Sequence, residues 1–426
     1  MKDKKYLPSV LIMYLNYFIH GVGCSVLGQA VIKESLATSW GCDPMSITKI
    51  SAALGLGRLV ALPFAGPLSD KLGRKISMFI GGLSYAVYMI GLVFAFNAGV
   101  NGGYTIAYVC AIVGGIANSF LDTGIYPAVA EAISDAPGVA TMGIKFFISV
   151  SQMFLPFFLG VAVSTTATGA TSYNHLFWVC GIAYVVLAAL ILFCPMPDTD
   201  SANGKKKQGL IASMKETHFS IESIAMILIG FTCTGTFQLW LNCAQNFAKD
   251  VAGWADPSAM QTYYSMGTLI ALVVTSFLTR KIKDVRFILA YPAICLAMLI
   301  VVLVAPSQTM CTIGAFVIGW AGAGGLLQIA TSVCNMIFPK IKGTVTALVM
   351  IASSLCNYTI LTAAGNMTPS GVMTMNIVLT AVGVLLGLYV NLRYQKFSCA
   401  RLITNKMRYK STVIFAKIME KKEVIN

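Results

Sequence analysis

Charge is scarce in this sequence: of 426 residues only 11% are Asp, Glu, Lys or Arg, and only three, at positions 20, 175 and 218, are histidine. An ordinary water-soluble domain is about 25% charged, so a soluble enzyme is excluded. Acids are rarer than bases, 16 against 30. Three histidines and a single acid inside an apolar run cannot furnish a catalytic cluster or a set of metal ligands, so neither an enzyme nor a cofactor is expected. The twelve cysteines contain no CxxC pair. Most fall inside apolar runs, as Cys110, Cys180, Cys194, Cys233, Cys295, Cys334 and Cys356 do; they read as small core residues, without the pattern of a disulfide frame or zinc site.

What the chain has in quantity is apolar surface, with 57% of residues from the AVILMFWYC set and a mean hydropathy of +0.77. The bilayer is its solvent. A helix needs about 20 apolar residues to cross about 30 Å of hydrocarbon. Twelve segments qualify, centred near Phe18, Leu56, Tyr88, Ser119, Ser151, Tyr184, Gly235, Leu269, Ala297, Gly324, Ser354 and Val384. The opening MKDKK runs straight into the first of them without a small-residue cleavage site, so it is read as a retained span and not as a signal peptide.

An even number of spans places both termini on one side, and the basic residues say which. The N-terminus, the loops after spans 2, 8 and 10, the middle loop and the tail hold 25 of the 30 Lys and Arg. The opposite loops hold Lys33, Lys49 and Lys249; Arg58 and Lys145 fall inside spans. By the positive-inside rule both termini are cytoplasmic, in a multi-pass protein of the plasma or inner membrane. The formal net charge of +14 is then a topology signal, with no nucleic acid needed to explain it.

The longest polar stretch between spans, within 197–219, divides them six and six. The expected domains are 1–196, a six-helix bundle; 197–219, a cytoplasmic linker; 220–392, a second bundle; and 393–426, a basic tail whose interleaved apolar residues suit the anionic inner leaflet. Gly57-Arg58-Leu59-Val60-Ala61-Leu62 matches Gly267-Thr268-Leu269-Ile270-Ala271-Leu272 at an offset of 210 residues, and Gly114-Gly115-Ile116 matches Gly324-Gly325-Leu326 at the same offset. Two such repeats, related by an axis along the membrane normal, are the architecture of a rocking carrier with its site near the midplane.

Gly66-Pro67-Leu68-Ser69-Asp70-Lys71-Leu72-Gly73-Arg74-Lys75 fits the loop 2/3 signature G-x-L-[SA]-D-[RK]-x-G-R-[RK] at every specified position. The chain therefore resembles the major facilitator superfamily over nearly its whole length. The resemblance implies an all-α membrane protein of twelve helices in two pseudo-symmetric six-helix bundles, monomeric, carrying a small molecule by alternating access. It further implies that the loop 2/3 residues Gly66, Asp70, Gly73 and Arg74 form a gate, and that spans 1, 4, 7 and 10 line the cavity. Phe338-Pro339-Lys340-Ile341-Lys342-Gly343 resembles the corresponding turn after span 10, with Lys for Arg and a shorter spacing. Glu131 and Asp135 after span 4 could pair with the basic loop beside them.

Ionisable groups inside spans support that arrangement, because each costs about 2.5–3.5 kcal/mol even on insertion scales and so should face a cavity or a partner. Spans 3, 6, 9 and 12 contain none, whereas spans 1, 2, 4 and 5 contain His20, Arg58, Asp122 and Lys145. Arg58 lies twelve residues before Asp70, about 18 Å from the helix end at ~1.5 Å per residue, and its mate in the second repeat is Thr268. A guanidinium is a planar fork for carboxylate, nitrate or phosphate, and an arginine at this place resembles the substrate-binding arginine of the family's nitrate porters. The alternative role is an ion pair with Asp122. That acid lies at a similar depth, where a cavity that fills and dries lets a carboxylate exchange a proton; it is the proton-coupling candidate, or a static counter-ion.

Lys145 is either a lysine snorkelling to the interface or a second cationic contact, with Ser149 and Gln152 on its helical face. His20, which shares a face with Asn16, is either a cargo contact or a satisfied core group. Gln238, Asn242 and Gln245 follow helical spacing in span 7, Gln328 in span 10 falls on the repeat position of Asn118, and Asn357 adds an amide in span 11. These amides contact cargo or glue helices together. The function expected is symport of protons with a small organic anion such as a carboxylate. The alternatives are a neutral-sugar symporter or a drug or metabolite efflux antiporter, although span 5 lacks the G-x-x-x-G-P-x-x-G-G motif of the family's antiporters.

Overall fold

In the computed structural model the described residues are 4–166, 169–196, 221–279, 281–337 and 342–393. The middle linker, the Phe338-to-Ile341 part of the turn after span 10 and the tail beyond Arg393 lie outside them. The first half comprises α1 (Leu7–Ser25), α2 (Ala30–Trp40), α3 (Thr48–Leu72), α4 (Arg74–Ala98), α5 (Gly103–Ala132), α6 (Pro137–Met153), α7 (Leu155–Ala162) and α8 (Asn174–Phe193). The second comprises α9 (Ile221–Asp250), α10 (Ala259–Leu278), α11 (Asp284–Val304), α12 (Gln308–Val317), α13 (Leu326–Ile337), α14 (Lys342–Ala364) and α15 (Pro369–Arg393). A two-residue ladder, β1 (Ser164–Thr165) with β2 (Thr171–Ser172), closes the loop before α8.

Eleven of the twelve expected span centres fall within these helices, and Gly324 falls at the break just before α13. Among the described residues ten helical stretches are long and apolar enough to cross a membrane, and α6 with α7, bent by 44°, forms an eleventh if the bent pair is one span. The twelfth position is held by α10, 20 residues long, whose run Gln261-Thr262-Tyr263-Tyr264-Ser265 makes it too polar to stand with the rest. Its polar face is turned inward: Gln261, Tyr264, Ser265 and Thr268 are all buried, and Ser265 and Thr268 return their hydroxyl hydrogens to carbonyls of the preceding turn.

Each half has its own apolar core. A small third cluster joins them, in which Met45 and Ala52 of the first half meet Leu239, Cys243, Leu361 and Ala364 of the second. All lie at the end of the molecule that holds α2 and the α9–α10 turn, called distal below. The end where α1 begins is proximal.

Glycines set the closest helix approaches. A Cβ on Gly57 would stand 2.0 Å from the Ile112 carbonyl oxygen, and one on Gly115 would stand 2.1 Å from that of Leu54, so α3 and α5 touch backbone to backbone. The second half repeats the contact: a Cβ on Gly267 would stand 2.2 Å from the Phe316 oxygen, and one on Gly319 would stand 2.0 Å from that of Tyr264. The offset of 210 residues therefore holds between α3 and α10, but the partner of Gly115 is Gly319, 204 residues on, and not Gly325. The register expected for span 10 is corrected by six residues, and Gln328 is not the mate of Asn118. The cause is local. Where α5 runs unbroken, span 10 widens into a π turn over Ile318–Ala323 and breaks at Gly325, whose φ of +119° only glycine adopts readily.

A second correction concerns Lys33, expected in a loop on the side opposite the basic ones. It lies on α2, a helix that continues span 1 beyond an extended residue, Gln29, and it is fully buried.

Candidate functional site

The α3–α5 glycine contact also brings the charged residues together. With Gly57 and Gly115 clamped, the backbone N–H of Arg58 is pressed against α5, and Ser119 of α5 donates its hydroxyl to the Arg58 carbonyl at 3.1 Å. One turn further along α5, Asp122 receives the guanidinium: Arg58 Nη2 to Asp122 Oδ2 is 2.7 Å. The other carboxylate oxygen accepts the buried Tyr17 hydroxyl of α1 at 2.5 Å. The carboxylate is thus held from both sides by helices α1 and α3.

The pair is not sealed. Arg58 and Asp122 retain 26% and 25% exposure of their side chains. The carboxylate is engaged at both oxygens, while the guanidinium is not fully used. Of the five N–H bonds an arginine offers, one goes to Asp122 and one makes a weak 3.9 Å contact with Met350 Sδ of α14, in the other half; Nε is buried without a partner. A spare, directed donor beside a compensated charge is the geometry of a fork that can take a second acceptor.

Aromatic rings wall the pair. Tyr17 meets Tyr126 edge-on at 5.6 Å and His20 at 5.4 Å, and His20 meets Tyr85 at 5.3 Å. His20 is therefore part of this cluster, with Nδ1 unpartnered, and is held by rings instead of by Asn16, whose amide caps its own helix at the Ile12 carbonyl. Lys145 on α6 lies within electrostatic reach of Asp122, Arg58 and His20. With Asp122 already matched to Arg58, Lys145 stands as a second basic group beside the pair.

The amides divide into separate groups. Asn118, on α5 beside the pair, has an unpartnered carbonyl oxygen, as does Asn357 where α14 packs against Gly55. Gln238 and Asn242 bond to each other, Nδ2 of Asn242 donating to Gln238 Oε1 at 3.1 Å. Gln245 turns toward the first half, bonding Gln29 and the Ala30 amide. Gln328 is exposed on α13 and joins none of these.

The loop 2/3 residues stand apart at the proximal end. Gly73, at φ +89°, terminates α3 and lets α4 begin at Arg74; Gly66 has open space where a Cβ would project; Asp70 is exposed in the last turn of α3. Arg74 pairs with Glu131 at 2.5 Å, the link expected between the acidic end of span 4 and the basic loop.

Sequence inspection missed Tyr17, Gln29, Gln261 and the burial of Lys33. Tyr17 carried a faint signal, three residues before His20 on one face of span 1. Lys33 carried another, a single lysine in the apolar run Ala30-Val31-Ile32.

Comparison with known proteins places the chain in a family. The family model described as Major Facilitator Superfamily matches residues 13–357. The chain is 31% identical over 402 residues to the MFS-type transporter YfkL of Bacillus subtilis (strain 168), covering 91% of this chain and 97% of that one. It is 29% identical over 397 residues to the inner membrane transport protein YdiN of Escherichia coli (strain K12), covering 92% and 91%. A more distant similarity, 24% identical over 65% of this chain and 58% of the relative, is to the 4-hydroxybenzoate transporter PcaK of Pseudomonas aeruginosa. Among solved structures, the inward-open xylose transporter XylE of E. coli superposes with a TM-score of 0.72 at 16% identity, over 90% of this chain and 95% of that one.

Proposed function

The chain belongs to the major facilitator superfamily and is a transporter and not an enzyme, and on that premise we propose that it carries a small organic anion, a carboxylate, together with a proton. The observation that carries this reading is the Arg58–Asp122 pair, a quarter exposed, with spare guanidinium donors.

The chemistry is an exchange of partners. A proton arriving at Asp122 removes its negative charge and weakens its hold on Arg58; the guanidinium then turns its fork to the carboxylate of the cargo. Protonated Asp122 remains anchored by Tyr17, while the cargo supplies the counter-charge. One proton and one monoanion enter together, so the cluster keeps the same net charge loaded and empty. That balance matters in a bilayer, where an uncompensated charge is costly. Lys145 adds a fixed positive field that favours an anion. Tyr17, Tyr126 and His20 provide edges and faces suited to an apolar or aromatic body on the carboxylate, in keeping with the carboxylate named for PcaK. With both termini cytoplasmic, the proximal end faces the cytoplasm, and loop 2/3 gates that side. His20, Asn118, Gln238, Asn242 and Asn357 would complete the contacts to cargo, and the protein acts as a monomer in the inner membrane.

Uptake into proteoliposomes under an imposed pH gradient tests this, with aromatic and aliphatic carboxylates beside neutral sugars. Accumulation of a carboxylate that Asp122→Asn abolishes is the expected result. Accumulation of a neutral sugar, with no carboxylate moved, would replace the anion with a polyol and leave Arg58 a structural partner of Asp122.

A further inference from the structure

A buried lysine, unrelated to the Arg58 cluster, is held across the boundary between the halves. Lys33 on α2 is fully buried, and its ammonium donates to Thr48 Oγ1 at 2.8 Å, to the main-chain oxygen of Asn242 at 2.5 Å and to Asn246 Oδ1 at 3.0 Å. Thr48 belongs to the first half; Asn242 and Asn246 belong to α9 of the second. Three acceptors within reach match the three N–H bonds that an ammonium has to give. None of the three is a carboxylate.

Neighbouring contacts repeat the crossing. The Gln29 amide donates to Gln261 Oε1 at 3.1 Å, Gln245 donates to Gln29 Oε1 at 2.9 Å, and the Ala30 N–H donates to Gln245 Oε1 at 2.9 Å. A Cβ on Gly28 would stand 2.3 Å from the Leu241 carbonyl oxygen, so the backbones themselves touch. Lys249 and Glu34 form an ion pair at the rim. The distal end is thus closed by a zipper of neutral amides around one buried lysine, with an ion pair at its rim.

We propose that Lys33 is the latch of the distal gate: its ammonium holds the halves together through α9 while that end is shut and passes into water when it opens. The physical reason is that its partners lie on both halves. Separation removes two of its three acceptors at once, and the only stable destination for the cation is then solvent. No carboxylate bonds the ammonium directly, although Asp43 of the same half lies within electrostatic reach, so closure depends on the acceptors that α9 brings. The proposal requires nothing of the cargo. It is also separable from the Arg58 chemistry, since Lys33 bonds neither Arg58 nor Asp122 and touches Asn242 only at its main-chain oxygen.

Hydrogen–deuterium exchange of the full-length chain in lipid nanodiscs tests it through the sign of the change at each end. Lys33→Ala should raise exchange about tenfold in segments 29–48 and 242–250 and lower it in 64–76 and 126–135, as the population moves from distal-closed to distal-open. A rise at both ends would mean that Lys33 is only a structural fastener, and no change would mean that it holds nothing; either result overturns the proposal. Asn246→Ala removes a single side-chain acceptor from the other half and should shift exchange the same way by a smaller factor, which keeps the test open if Lys33→Ala fails to fold. Lys33→Met, similar in volume but without donors, should follow Lys33→Ala. Greater distal protection in the methionine variant would show that the charge opens the gate, and would overturn the latch.

Discussion

The two six-helix halves share a skeleton but not a chemistry. Leu54, Gly57, Ile112 and Gly115 of the first half make the same reciprocal close approach as Tyr264, Gly267, Phe316 and Gly319 of the second. Yet Arg58 corresponds to Thr268, which spends its hydroxyl on the carbonyls of Tyr264 and Gly319, and on the α5 offset Asp122 falls on Leu326, an apolar core residue. In the first half the duplicated helix crossing positions an ion pair; in the second it satisfies itself. Rocking needs two equal bodies, whereas charge exchange needs one site, and placing all the intramembrane charge on one body halves the desolvation to be compensated. The second half contributes neutral amides and the weak Met350 contact.

The largest effect that can be aimed at this asymmetry is at Asp122. Asp122→Asn keeps the shape and leaves Arg58 without a titratable partner, so the pH-gradient-driven accumulation of carboxylate should fall to the level of empty liposomes. Exchange of labelled for unlabelled carboxylate across the membrane should persist, because a bound anion can still balance Arg58. Loss of both activities would make Asp122 a structural counter-ion only, and the halves would then differ in packing alone.

Arg58→Lys comes next. It preserves the charge and removes the fork. A charge-assisted hydrogen bond contributes about 1.5–3 kcal/mol, which is a roughly 10–100-fold change in affinity, so half-maximal carboxylate uptake should need that much more substrate. Thr268→Lys in the second half should not restore it. Unchanged uptake in Arg58→Lys would show that a point charge suffices and that Lys145 could serve as well.

The glycine pair separates skeleton from chemistry. Gly57→Ala and Gly267→Ala each place a methyl group inside a neighbouring carbonyl's contact distance, and overpacking of this kind costs about 1–3 kcal/mol. The two variants should lose thermal stability to a similar degree in a detergent unfolding assay. Their transport should differ, because only Gly57→Ala displaces Arg58 from Asp122. Equal transport defects would mean that rocking, and not the ion pair, is what the close approach protects.

How much of this could be read in the sequence follows from what an apolar run encodes. Lipid burial leaves a periodic mark, so all twelve spans were legible, α10 included despite its polar face. That Arg58 and Asp122 stand at one height was legible too, because helix rise turns sequence distance into height, and the two pair at 2.7 Å. Pairings between remote helices leave no such mark. Tyr17 meets Asp122 from 105 residues away, and an ordinary tyrosine in an apolar run looks like core. Lys33 was hidden for a related reason: its acceptors are a threonine, an asparagine amide and a main-chain carbonyl, groups that signal nothing by composition. The register of span 10 was misjudged because a Gly-Gly pair looks alike whether it packs a helix, as at Gly114-Gly115, or breaks one, as at Gly324-Gly325.

The smallest effect is expected at the proximal end of the first half, where Arg74 and Glu131 join α4 to α5. Their side chains are 14% and 30% exposed, and partly exposed ion pairs contribute about 0–1 kcal/mol, less in high salt. Glu131→Gln should therefore move the unfolding midpoint by no more than about 2 °C, with the difference shrinking as ionic strength rises. Set beside Lys33→Ala it compares the two ends of the molecule directly. The distal end joins the two halves through a buried lysine, backbone contacts and one rim ion pair, whereas the proximal pair only ties two helices of the same half together and is open to salt. If Glu131→Gln instead shifted the midpoint as far as Gly57→Ala does, the proximal pair would be part of the skeleton, and loop 2/3 would be a fixed joint between α4 and α5 where a gate has been proposed.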